Sequence, residues 1–173
     1  DFFENAEERL AAFCGSSTAL LFSSGYAANL GLLTTLIGRD DLVLSDALNH
    51  ASLIDGLRLT GARKLVYPHG DLTVVERALV APRPRRTFIV TERVFGMDGD
   101  LAPLPELATL AQRFRATLYV DDAHGTGVMG QSGRGTLEHF GVEDRIPFHM
   151  GTLGKALGSS GAYLAGPTDM IQY

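Results

Sequence analysis

The sequence predicts an α/β fold of three layers, α/β/α, in which a mainly parallel sheet lies between helices. Two observations carry this. Short apolar runs of strand length alternate along the chain with stretches whose apolar residues recur at helical spacing. Polar and glycine residues also collect where those strands end, which is where such sheets bind ligands. The composition suits one globular core: 173 residues, 45% hydrophobic and 20% charged. A net charge of -5 offers no basic surface to nucleic acid. The single cysteine, Cys14, excludes a disulfide framework. Next to Phe13 it reads as a buried small hydrophobe. The most apolar region, 20–37, is broken by Ser23, Ser24, Gly25 and Asn29, so it is not read as a membrane span. No secretory signal is visible, and a cytoplasmic location is expected. Asp1 falls within an apparent helix and Tyr173 just after another begins, so the sequence reads as one partial domain, 1–173, of a longer protein.

The elements follow in order. Phe3, Ala6, Leu10 and Phe13 keep helical spacing. "TALLF" (18–22) is a strand, and "GYAANLGLLTTLIG" is a helix apolar enough to be buried on most sides, ended by Gly38. "LVLSD" (42–46) is a strand followed by the helix "HASLIDGLRLTG". "RKLVYP" is a strand, and Leu72, Val75 and Leu79 mark a helix. "TFIVTE" (87–92) is a strand; Leu107, Leu110, Ala111 and Phe114 mark a helix entered through prolines. "TLYVDD", "FHMGT" and "GAYLAG" complete the strands, and "GPTDMIQY" opens a further helix.

Two glycine-rich stretches invite nucleotide readings. Gly125, Gly127 and Gly130 match the dinucleotide fingerprint G-x-G-x-x-G. That motif needs a helix to open at the loop, and Gly133 and Gly135 follow too soon. Asp121 and Asp122 would also set negative charge beside a pyrophosphate. "GTLGKALG" (151–158) imitates a P-loop, but His149 stands where its first glycine belongs and Ala156 where Ser or Thr must bind magnesium.

The strand ends suggest other chemistry. Lys155 lies in a small, glycine-rich turn and is one of two lysines, with Lys64. A lysine held in a pocket can lose its proton and form a Schiff base, although most lysines are simply solvated. A Schiff-base cofactor such as pyridoxal 5'-phosphate needs a carboxylate to keep its ring nitrogen protonated, and Asp121 stands at a buried strand end. Its phosphate needs backbone N–H donors at a helix start, which "SSGYAAN" supplies around Gly25 and Tyr26. His50, after another strand, offers a flat partner for the ring, and Thr152 can bind an anion.

"LLFSSGYAAN", "SDALNHASLIDGLRL", "VFGMDGDLAPL", "VDDAHGTGVMGQSGRG" and "GTLGKALG" together resemble the α-oxoamine synthases. These are pyridoxal-phosphate enzymes of the aspartate-aminotransferase fold (fold type I). The resemblance covers the large cofactor domain only; the family's N-terminal arm and C-terminal small domain lie outside it. It implies that Lys155 binds the cofactor and later moves the substrate α-proton, and that Asp121 pairs with the pyridinium nitrogen. His124 would bond the cofactor's phenolic oxygen, and His50 would stack on the ring and assist condensation and decarboxylation. Gly25 and Tyr26 would lie beside the cofactor and Thr152 near its phosphate. Family members usually carry serine where this chain has Gly96. The implied reaction joins an amino acid to an acyl thioester, on CoA or a carrier protein, with loss of carbon dioxide. The blocks favour alanine with a pimeloyl thioester over glycine with an acetyl thioester. A homodimer is implied, with no metal, nucleic acid or membrane as partner. A non-catalytic fragment and a nucleotide-binding module are the readings of another class.

Overall fold

The computed structural model describes residues 1–84, 86–96 and 99–172. Met97 and Asp98 of the "VFGMDGD" block, Arg85 and the terminal Tyr173 lie outside the described residues. The sheet has seven strands in the order β1-β7-β6-β5-β4-β2-β3. They are β1 (Thr18–Phe22), β2 (Leu42–Asp46), β3 (Arg63–Tyr67), β4 (Thr87–Glu92), β5 (Thr117–Asp121), β6 (His149–Thr152) and β7 (Ala162–Gly166). Pairing is parallel from β3 through β2, β4 and β5 to β6, and antiparallel on both sides of β7. Only β7 therefore runs against the others, so the sheet is mainly parallel, as the alternating pattern predicts.

Near-continuous apolar runs arise because both faces of the sheet are covered. Successive residues of β2 separate accordingly. Leu42 and Leu44 face a core built with Val75, Leu79, Leu104 and Leu107, while Val43 faces one built with Leu32, Leu33, Leu53 and Leu57. The first layer holds α4 (Leu72–Val80) and α5 (Leu104–Phe114); the second holds α2 (Gly25–Leu36) and α3 (Ala51–Thr60). α2 and α3 pack closely, since a Cβ on Gly56 would already stand 3.0 Å from Leu33 Cδ1. α1 (Phe2–Cys14) opens with a capping box between Asp1 and Glu4 and closes on Gly15 in the left-handed region. Its Cys14 is buried, and burial pushes the thiol up to about 11, consistent with a packing role.

Three details differ from the sequence reading. α2 buries one face, through Ala28, Asn29, Leu32 and Leu33, while Tyr26, Thr34 and Thr35 are exposed. Its apolar composition overstated its burial. It also stops at Leu36, with Ile37 already extended, before Gly38. A short helix, α6 (Thr136–Phe140), and a 3-10 turn at Glu143–Arg145 follow the glycine loop, before β6. α6 is too short for its periodicity to register. It docks through the Arg93 guanidinium, which lies 3.9 Å from the centre of the Phe140 ring. The final short helix, α7 (Thr168–Ile171), follows β7.

Candidate active site

Six of the seven strands point their carboxyl ends the same way, and the chain leaves those ends in loops that meet over the sheet. β1 feeds Ser24, the N-cap of α2, whose hydroxyl accepts from Ala27 N at 3.1 Å. Gly25 and Tyr26, in the first turn, direct their amides beyond the helix, without an acceptor among the described residues. β2 leads to His50, the N-cap of α3, whose Nδ1 accepts from Ser52 N at 3.1 Å. β4 ends at Glu92 and β5 at Asp121, which are register partners. β6 ends at Thr152, three residues before Lys155.

These loops enclose a cavity of about 240 Å³. Gly25, Tyr26, His50, Asp121, His124, Thr152 and Lys155 all line it. The structure thus brings every predicted site residue to one place. Asp121 is buried, with Oδ1 accepting from Ala123 N at 2.9 Å and Oδ2 from Asn29 Nδ2 at 2.7 Å. Lys155 Nζ lies 3.1 Å from His124 Nε2. Burial holds the lysine below its usual value despite the opposing pull of Asp121 and Glu92. Burial, then the Lys155 charge, does the same to His124. Tyr26 is exposed, and its hydroxyl is tied to Asp55 Oδ2 at 2.8 Å. The Thr152 hydroxyl donates to Gly161 O and accepts from Gly154 N, both at 3.2 Å. It braces the turn that carries Lys155, and an anion would have to compete for its proton.

Four further residues shape the cavity. Glu92 lines it and is pushed up to about 7, mainly by burial and then by Asp121. Asn29 and Ser52 also line it and form a buried network with Tyr119 behind them. Asn29 is the one polar side chain on the buried face of α2, a signal that was in the sequence. An adjoining cavity of about 440 Å³ shares His50, Glu92 and His124 and is closed by Leu48, Phe95 and Gly96. A Cβ on Gly96 would stand 2.9 Å from His124 Nε2. The glycine makes room for the His124 ring.

The glycine loop after Asp122 has no helix between 122 and 135. Asp122 is 1% exposed and accepts from Thr136 N at 2.7 Å and Thr136 Oγ1 at 2.8 Å. The chain wraps this carboxylate, with Gly127, Gly130, Gly133 and Gly135 at positive φ. The G-x-G-x-x-G spacing therefore serves a turn. Among the described residues no group of three metal-ligating side chains forms, and no helix is long and apolar enough to cross a membrane.

A lysine amine, a buried carboxylate and free helix-start amides in one cavity suit a ligand carrying a carbonyl, a basic ring nitrogen and a phosphate. That donor set, on a mainly parallel sheet with helices on both faces, defines a fold type I domain. The chain belongs to the family described as aminotransferase class I and II, whose model matches residues 1–173. Among its relatives, the 8-amino-7-oxononanoate synthase of Methylococcus capsulatus is 56% identical over 168 residues, which is 96% of this chain and 43% of that protein. The solved 8-amino-7-oxononanoate synthase of Francisella tularensis is 33% identical, with a TM-score of 0.85 over 100% of this chain and 51% of that one. Serine palmitoyltransferase with a pyridoxal-phosphate internal aldimine is 35% identical, with a TM-score of 0.90 over 96% of this chain and 42% of that one. The chain thus spans about half, or less, of each.

Proposed function

We propose that residues 1–173 are the large cofactor domain of an 8-amino-7-oxononanoate synthase. In this reading a pyridoxal-phosphate-dependent acyltransferase of biotin synthesis joins L-alanine to a pimeloyl thioester. A carbon–carbon bond forms between the alanine α-carbon and the acyl carbon, and the thiol and carbon dioxide leave. The protein works as a cytoplasmic homodimer. The observation that carries the reading is the meeting of Lys155 with Asp121, His50 and His124 in one cavity at the mouth of α2. The names of the relatives at about 55% identity agree with it.

The cofactor, when bound, supplies the carbonyl that captures an amino acid and an electron sink for its α-carbon. The chain's residues do the rest. Gly25 and Tyr26 offer amides to the phosphate, helped by the α2 dipole. Thr152 joins them if its hydroxyl turns from Gly161. Asp121, an acceptor on a buried strand end, would hold the ring nitrogen's proton. Desolvation at the cavity wall lowers Lys155 below the usual lysine value, which favours the free amine that can attack a carbonyl and take a proton from the substrate α-carbon. His124 holds Lys155 through Nε2 and would bond the phenolic oxygen. His50 would stack on the ring. Glu92, titrating near neutrality, can give or accept a proton at the wall between the two cavities.

Product analysis of the complete protein carrying this chain tests the reading. Alanine with pimeloyl-CoA is expected to yield 8-amino-7-oxononanoate, carbon dioxide and free CoA. Turnover confined to glycine with acetyl-CoA would move the assignment to glycine C-acetyltransferase.

A further inference from the structure

In the cavity wall one buried amide touches both sides of the site. Asn29 is 1% exposed. Its Oδ1 accepts from the Tyr119 hydroxyl at 2.5 Å. Its Nδ2 donates to Asp121 Oδ2 at 2.7 Å and to Ser52 Oγ at 2.9 Å. Neither direction is arbitrary. Tyr119 is fully buried and held far from ionising, so its hydroxyl remains a donor. A carboxylate can only accept, so the amide nitrogen must face Asp121. With its oxygen receiving from Asn29, the Ser52 hydroxyl has its own proton free. That proton has an acceptor in His50 Nδ1, 2.8 Å away, where Ser52 N already donates at 3.1 Å. His50 Nδ1 is therefore an acceptor, and the proton of the neutral ring sits on Nε2.

We infer that Asn29 is a positioning residue that sets two groups at once: it presents the Asp121 carboxylate as an acceptor and, through Ser52, His50 with Nε2–H as its donor. Tyr119 fixes the amide's sense, so a single buried side chain coordinates the group proposed for the ring nitrogen with the group proposed for the ring face. This rests on the function proposed above, but one arm of its test needs no cofactor. The two arms also separate, because Ser52 leads only to His50, whereas Asn29 leads to both.

Histidine-selective isotope labelling of the complete apo protein reads the His50 tautomer directly. The Nε2–H form is expected; an Nδ1–H form would overturn the inference whatever the cofactor. Pyridoxal phosphate affinity and steady-state kinetics then compare Asn29→Leu, Tyr119→Phe and Ser52→Ala. Loss of a buried bond to a charged group predicts cofactor affinity weakened about tenfold or more in Asn29→Leu, and in Tyr119→Phe by about half that factor. Ser52→Ala is expected to lower kcat about tenfold while changing cofactor affinity less than about threefold. Tyr119→Phe and Ser52→Ala carry the comparison if Asn29→Leu does not fold. Equal loss of affinity in Ser52→Ala and the other variants, or no loss in any, would refute the separable arms. Failure of the unaltered protein to bind pyridoxal phosphate would instead refute the proposed function and leave the tautomer result standing.

Discussion

Asp122→Asn will flatten a pH dependence of stability built into the glycine loop. The Asp122 carboxyl is 1% exposed, and burial raises it from 3.8 to about 7 against the pull of its two Thr136 bonds. A carboxyl raised on folding favours the protonated native state. Its contribution is complete below the unfolded value and is lost as pH rises through about 7. A shift of that size corresponds to roughly 4 kcal/mol between pH 4 and pH 8. Asparagine copies the shape of the protonated acid and keeps an acceptor for one Thr136 donor, but it cannot ionise. At pH 5, where roughly 1–2 kcal/mol of that contribution is already gone, the variant's lost hydrogen bond of about 1 kcal/mol offsets it and leaves the two proteins within about 1 kcal/mol of each other. At pH 8 it will be the more stable of the two. Hydrogen exchange over residues 122–140 reads this locally in the complete protein, without requiring two-state unfolding. Parallel pH profiles for the two proteins would refute the reasoning.

His69 gives the opposite kind of partner but the same sign. Its Nδ1 lies 3.0 Å from Asp46 Oδ1 and its Nε2 2.5 Å from Asp100 Oδ2. These bonds raise it above the ordinary histidine value although burial opposes them. The tie it makes is complete below about 6.5, the usual value, and is lost as pH rises through the raised one. The melting temperature of the unaltered protein is therefore expected to fall more than that of His69→Gln between pH 6 and pH 9. Gly135→Ala forces a side chain into φ +104° and against Asp122 Oδ2. It will cost roughly 2–4 kcal/mol in chemical denaturation, against about 1–2 for Gly141→Ala, which meets only the backbone penalty because the space beside it is open. Asp71→Ala removes the cap that accepts from Thr73 N at 3.0 Å and Val74 N at 3.1 Å. It will destabilise α4 by about 1 kcal/mol in the same measurement.

The fold was legible because its signals are local. Strands buried on both faces read as short apolar runs, and α4 and α5 carry clear helical spacing. That these residues line one cavity was legible for a related reason: parallel strands deliver their ends to one side, so Asp121, His50 and Lys155 could be grouped from strand order and recognised blocks. What escaped depends on tertiary contact. α6 is held by Thr136 on Asp122 and by Phe140 against Arg93, neither of which leaves a period in five residues. α2 was read as more buried than it is, because leucine content does not say which face a neighbouring helix covers. Asn29 looked like an interruption of an apolar stretch. Its contacts form only when α2 lies against β5, so that Tyr119 and Asp121 arrive on either side of one amide. Thr152 shows the reverse case: its residue type suggested an anion contact, whereas the turn around it takes up the hydroxyl first.

The central claim is that Lys155 is the cofactor's attachment point. Borohydride reduction of the complete protein loaded with pyridoxal phosphate, followed by digestion and mass spectrometry, tests it. The reduced cofactor is expected on the peptide containing Lys155, with Lys64 unlabelled. A label on Lys64, on a lysine outside residues 1–173, or on none would contradict it.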